Sequence, residues 1–233
     1  MIVLALDTTS RAGSVAIVHD DRVLAEVTGD PRLTHGERLP GALMNTLSDA
    51  GIALGDLNLL AVAAGPGSFT GLRVGIASMQ GLATATGLRV VPVSALEALA
   101  RRAVGGSGLV GAWIDAQRGQ VFAALFANGI PEPLVAPSSL LPSDTLALWG
   151  DRTAGRSVTF VGDGAIRYAD VITHHFGVDA TVLGQAPPLA AAVGRIAVEH
   201  PERAVLPHAI VPIYIRRPDA ELARLKAVGK SRD

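Results

Sequence analysis

Asp7 closes the apolar run Ile2 to Leu6 and opens a turn of Thr8, Thr9 and Ser10. A carboxylate followed at once by hydroxyls can hold a phosphate group and a metal-bound water. The same set can instead satisfy the amides of its own strand-end turn. Asp115 repeats the placement at the end of a second apolar run, and Gly162-Asp163-Gly164 makes a further corner. Asp7, Thr8, Thr9 and Asp115 are therefore candidates for a nucleotide cleft.

The stretch "GPGSFTGLRVGIASMQGLATAT", beginning at Gly65, looks like a phosphate cradle but fails both common tests. A dinucleotide fingerprint needs a third glycine where Thr70 stands. A Walker loop counted back from Gly71 begins on Pro66, and Leu72 occupies the lysine position. Within the predicted helix Gly71, Gly75 and Ser78 fall at i, i+4 and i+7, beside Met79 and Leu82. Each glycine there costs about 1 kcal/mol against alanine, so something must compensate. Packing inside the chain, a helix–helix interface with another molecule, and anion binding at the helix N-terminus all remain open. On the interface reading Gly71, Arg73, Gly75, Ser78, Met79 and Leu82 meet the partner, and Gly75→Leu breaks docking without unfolding the chain.

The histidines offer less. His35 adjoins Thr34, where a local hydrogen bond is expected, and His174 and His175 are adjacent, so they cannot face one metal from a regular helix. His200 and His208 flank a Pro-containing loop and are expected at the surface. With no cysteine in the 233 residues, thiolate metal sites and disulfides are excluded. A net charge of −1 and a pI near 6.6 argue against a protein built mainly to grip nucleic acid. The N-terminus lacks a signal-peptide pattern and no apolar run reaches membrane-spanning length, so a cytoplasmic protein is expected.

The elements that must position these residues follow from the apolar pattern. Ile2 to Leu6, "GSVAIVHD" and "RVLAEVTG" read as a three-strand meander. A helix follows, opened by a Thr34/Glu37 capping box and closed at Gly51. Strand, helix, strand and helix complete a βββαβαβα order, the ribonuclease H-like layout. "VGGSG", Val104 to Gly108, reads as a linker, beyond which "LVGAWIDAQRGQVFAALFAN" replays the opening. We therefore expect an α/β chain of two lobes of the actin, Hsp70 and sugar-kinase (ASKHA) type. Residues 1–104 form the first lobe and residues 105–233 a smaller or degenerate second one. Residues 206–233 are a segment that can return to the first lobe.

The blocks "LALDTTS", "GPGSFTGLRVGIASMQGLA" and "PIYIRR" together resemble the TsaB family of bacterial tRNA threonylcarbamoyladenosine biosynthesis proteins, formerly grouped with glycoprotease-like proteins. The resemblance spans nearly the whole chain and is sharpest over Met1 to Ala103. It implies partnership with the homologous catalytic subunit TsaD and the ATPase TsaE, with tRNA reached through the complex. That complex transfers threonylcarbamoyl from its adenylate to N6 of the adenosine beside the anticodon. No cofactor is implied for this chain, since ATP and a divalent metal belong to the partners.

The resemblance also bears on catalysis. The catalytic paralogue carries an HxxxH metal motif in the helix after the second parallel strand, and here that segment reads "VPVSALEALARR". Ala95 and Leu99 stand where the two histidines would be, and neither side chain can ligate a metal. Asp115 is followed by "AQRG" instead of the D-x-G-[GT] turn of nucleotide-binding members, which points to a degenerate nucleotide site. The expected role is a non-catalytic activator that forms a heterodimer with the paralogue, or a homodimer through the same surface. An ASKHA-type ATP-dependent kinase and a glycoprotease-like peptidase are the alternatives. The basic tail Arg224 to Arg232 is read as a solvated terminus or an auxiliary contact to tRNA or a partner.

Overall fold

The computed structural model describes residues 1–103 and 108–216. Most of the expected linker and all of the basic tail lie outside the described residues. Two five-stranded sheets with the same wiring form the frame. The first contains β1 (Ile2–Asp7), β2 (Ser14–His19), β3 (Arg22–Thr28), β4 (Leu59–Gly65) and β5 (Val90–Ser94), in the order β3-β2-β1-β4-β5. The second contains β6 (Leu109–Asp115), β7 (Val121–Ala127), β8 (Pro133–Leu140), β9 (Val158–Val161) and β10 (Ala180–Val182), in the order β8-β7-β6-β9-β10. In each, an antiparallel meander comes first and the fourth strand then pairs in parallel with the first. The short sequence echo between the halves is thus one part of a repeat of the whole sheet.

Strand alternation decides what each face buries. On β1, Val3 and Ala5 point into a core shared by the two lobes, whereas Leu4 and Leu6 point outward. The outer face is covered by α1 (His35–Ala50) and α2 (Phe69–Thr86). Between the sheets lie α3 (Ala95–Ala100) and α7 (Ala190–Glu199), whose alanines and leucines fill the shared core. The far side of the second sheet packs Trp113, Trp149 and Phe160 with α4 (Pro142–Thr153) and α6 (Ala169–Phe176). The short α5 (Asp163–Arg167) sits at the end of β9.

The capping box of α1 is present: Thr34 N–H donates to Glu37 Oε2 at 2.8 Å, and Glu37 N–H donates to Thr34 Oγ1 at 3.4 Å. Gly51 ends the helix in the left-handed region at φ 66°. Such a cap contributes about 1 kcal/mol.

The return to the first lobe begins earlier than residue 206. Ser14 Oγ accepts from the amides of Leu189 and Ala190 at 3.2 and 3.0 Å, and Glu26 Oε1 accepts from Ala191 N–H at 2.9 Å. Side chains of the first sheet therefore satisfy the opening amides of α7, which would otherwise lack partners. The chain stays on that lobe afterwards: Val205 pairs with Val90, and Ile213 N–H donates to Ala64 O at 2.7 Å. Among the described residues no helix is long and apolar enough to cross a membrane.

Candidate functional site

A cleft of about 1230 Å³ opens between the lobes. Its walls are the turn after β1, the starts of α1 and α2, the turn after β6, and the returning segment 213–216.

The strand-end acids are treated differently in the two lobes. Asp7 is 1% exposed and lies beneath the cleft wall, where its Oδ1 accepts from Thr9 N–H at 2.8 Å and from Thr9 Oγ1 at 2.6 Å. Burial pushes its carboxyl above the usual range, against the hydrogen bonds from Thr9; nearby Glu26 adds to the rise and Arg38 opposes it. Thr8 is buried and its hydroxyl has no hydrogen-bond partner among the described residues; Thr9 and Ser10 line the cleft. Asp115 reaches the cleft edge, where Gln117 and Arg167 donate to its carboxylate. Asp163 Oδ1 accepts from the amides of Asp115 and Gly164, and burial raises its pKa. Of the expected nucleotide set, Thr9 and Asp115 therefore face the cleft and Asp7 and Thr8 do not.

The glycines of the "GPGSFTG" block answer to close approach within the chain. A Cβ on Gly67 would run into Thr9, and one on Gly71 into the Thr8 carbonyl. A Cβ on Gly75 would collide with the Thr8 hydroxyl. The turn after β1 lies directly under α2, so the expectation that Gly71 and Gly75 form an outward interface is corrected. Met79 leaves that set too, wholly buried in the core between the first sheet and its helices. Arg73 is exposed, with its guanidinium carbon 3.9 Å over the Phe69 ring, while Ser78 and Leu82 are half-buried. The outer side of the helix pair carries different small residues. Ala77, Gly81 and Ala85 on α2 are exposed, Met44 on α1 is 64% exposed, and a Cβ on Gly41 or Gly81 would meet no atom of the described residues within 4 Å.

The segment at Ala95 and Leu99 is sealed. Both side chains are buried, at 0% and 3% exposure, in the core between the lobes. Leu99 fills the space where a Cβ on Gly162 of the other lobe would stand. Between them Glu97 pairs with Arg203 Nη1 at 2.9 Å. Among the described residues no group of three His, Asp or Glu side chains converges to hold a metal ion. The residues do not fit a metal centre at α3, and no chemical step is assigned there.

His35 Nδ1 lies 2.7 Å from Arg38 Nη2, and burial with the Arg38 charge lowers its pKa. His208 is exposed and His200 contacts Glu202 at 3.1 Å. Residue-by-residue reading missed the cleft lip, where Phe69 and Tyr214 bring their rings within 5.5 Å and Arg11 and Arg216 approach from other elements. The "PIYIRR" block that carries Tyr214 was a signal of kinship and not of position.

The family model for TsaD, tRNA N6-adenosine threonylcarbamoyltransferase, matches residues 30–223. The chain is 30% identical to the tRNA threonylcarbamoyladenosine biosynthesis protein TsaB of Bacillus subtilis, over 95% of this chain and 96% of that protein. It is similar to a Pseudomonas aeruginosa crystal structure, described as an uncharacterized protein with similarity to the peptidase YeaZ. That match has 30% identity and a TM-score of 0.77, covering 92% of this chain and 99% of the other. A dehydratase activator from Clostridium difficile with bound ADPNP matches at TM-score 0.54 and 13% identity, over 87% of this chain and 96% of that one, a likeness of fold alone.

Proposed function

Because the chain belongs to the TsaB family and so to tRNA threonylcarbamoyladenosine biosynthesis, we propose that it acts as a non-catalytic subunit that docks on and activates a TsaD-type transferase. The observation that carries this reading is the sealed α3 segment. Where the resemblance puts metal-binding histidines in the catalytic relative, this chain has buried Ala95 and Leu99 packed across the lobe boundary. Neither side chain has a lone pair to give, and Glu97 is committed to Arg203. Opening this core to admit a metal would sacrifice apolar burial worth about 25 cal/mol per Å².

Docking then belongs to the outer side of α1 and α2. Gly41 and Gly81 lower helix stability by about 1 kcal/mol each relative to alanine, and among the described residues no atom close by explains them. Their bare backbone, together with the exposed Met44, suits close approach by helices of a homologue. Ser78 and Leu82 flank that face. The same surface serves a homodimer when the transferase is absent, and the two assemblies compete.

The test is threonylcarbamoyl transfer to tRNA from purified adenylate, with this chain alone, the transferase alone, and both together, alongside sedimentation. Acceleration only in the mixture, with a sedimenting complex, supports the reading. Transfer by this chain alone overturns it.

A further inference from the structure

We propose that the lip of the inter-lobe cleft is a binding site for a single-stranded RNA loop, with a base stacked on the Phe69–Tyr214–Arg73 column and its flanking phosphates held by Arg11 and Arg216. The inference rests on the tRNA-modification reading above and names the RNA-contacting face of the same chain.

The column is built from two elements distant in sequence. Phe69 opens α2 and is 38% exposed, and Tyr214 comes from the returning segment and is 40% exposed. Their ring centroids are 5.5 Å apart at an interplanar angle of 34°, and the Arg73 guanidinium lies over the Phe69 ring. Exposed rings joined to a planar cation are what an unstacked base needs, because every base has a π face and stacking tolerates any sequence. Burying these rings inside the chain would have served stability better. Their exposure at a cleft mouth leaves them for a flat ligand.

Charge completes the case. Among the described residues no carboxylate pairs with Arg11, Arg73 or Arg216: Arg11 Nε donates to Pro31 O, and Arg216 Nη1 to Gln120 Oε1. The acids of the cleft are already occupied, Asp115 by Gln117 and Arg167 and Asp163 by backbone amides. A local cationic lip on a chain of net charge −1 fits a short looped segment, with few phosphates to neutralise, better than a long duplex.

The experiment is binding of a fluorescent anticodon stem-loop RNA to the full chain, alone and mixed with the transferase, at several salt concentrations. Tyr214→Ala and Arg73→Gln are expected to weaken binding about tenfold or more, and Tyr214→Phe to retain it because the π face survives. Arg11→Gln is expected to make the salt dependence shallower by nearly one phosphate's share. Arg11 and Arg73 are exposed, so thermal melts of their Gln variants should match the parent; Tyr214→Ala loses the ring contact with Phe69 and melts lower, so its binding is read at a temperature where it is folded. No RNA binding in either format, unchanged affinity in the Ala and Gln variants, or competition by ADP as effective as by the unlabelled loop overturns the inference. Those outcomes leave docking and activation of the transferase untouched, so the two readings fail separately.

Discussion

Gly71 and Gly75 on α2 lie over Thr8, whereas Gly81 on the same helix and Gly41 on α1 face open space. Glycine carries the same propensity penalty at all these positions, but different neighbours compensate it. The inner pair lets the turn after β1 slide beneath the helix and so fixes the cleft wall. The outer pair meets no atom of the described residues within 4 Å and leaves room beside it. Helical phase, and not the presence of a small residue, separates a glycine packed inside the chain from one that faces open space.

The largest effect expected on this contrast is from Gly75→Leu. Its side chain would have to displace Thr8 from a buried position, so stability should fall by about 3 kcal/mol or more, or folding should fail. Urea denaturation reads this directly, and a parent-like midpoint would mean the turn under α2 yields easily. Next come Gly81→Leu and Met44→Arg, which should weaken the complex with the transferase at least about tenfold while leaving thermal melts unchanged. An intact complex in both would move docking to another face.

Smaller substitutions sharpen the same line. Gly81→Ala should raise stability by about 1 kcal/mol through helix propensity alone, whereas Gly71→Ala should lower it, because its methyl meets the Thr8 carbonyl. Equal signs for the two would erase the distinction between inner and outer faces.

Asp7→Asn should show the smallest change, and its sign is fixed by linkage. Burial holds the folded carboxyl above its ordinary pKa of 3.8, so the folded state holds the proton more tightly than the unfolded one. Stability from this group is greatest below 3.8 and is lost as pH rises through the raised folded value. Asparagine keeps an oxygen to accept from Thr9 without the buried charge. Urea midpoints should therefore favour the variant at neutral pH, with the gap closing as pH falls. A variant less stable at neutral pH would mean the carboxylate is stabilised by something beyond Thr9 and Arg38.

Much of the frame was legible because apolar strands announce themselves. Ile2 to Leu6 and Leu109 to Ile114 are unbroken runs, and Thr34, Glu37 and Gly51 mark the ends of α1. The phase of α2 was not legible. Leu72, Val74, Ile76, Met79 and Leu82 spread apolar character around the helix, and a glycine adds no hydrophobicity to break the tie. The start of the return at α7 was hidden similarly, since "AAAVGRIAV" is apolar on most sides and its caps, Ser14 and Glu26, are far away in sequence. The replacement of a histidine pair at Ala95 and Leu99 was readable from residue type. That Ala95 is closed in the core between the lobes and Leu99 against Gly162 took the tertiary structure.

The most direct measurement is single-turnover transfer by the transferase titrated with this chain, wild type against Gly81→Leu. Saturable acceleration by the wild type, little or none by the folded variant, and no transfer by either chain alone are expected. Transfer without the transferase, or equal acceleration by both chains, would contradict this expectation.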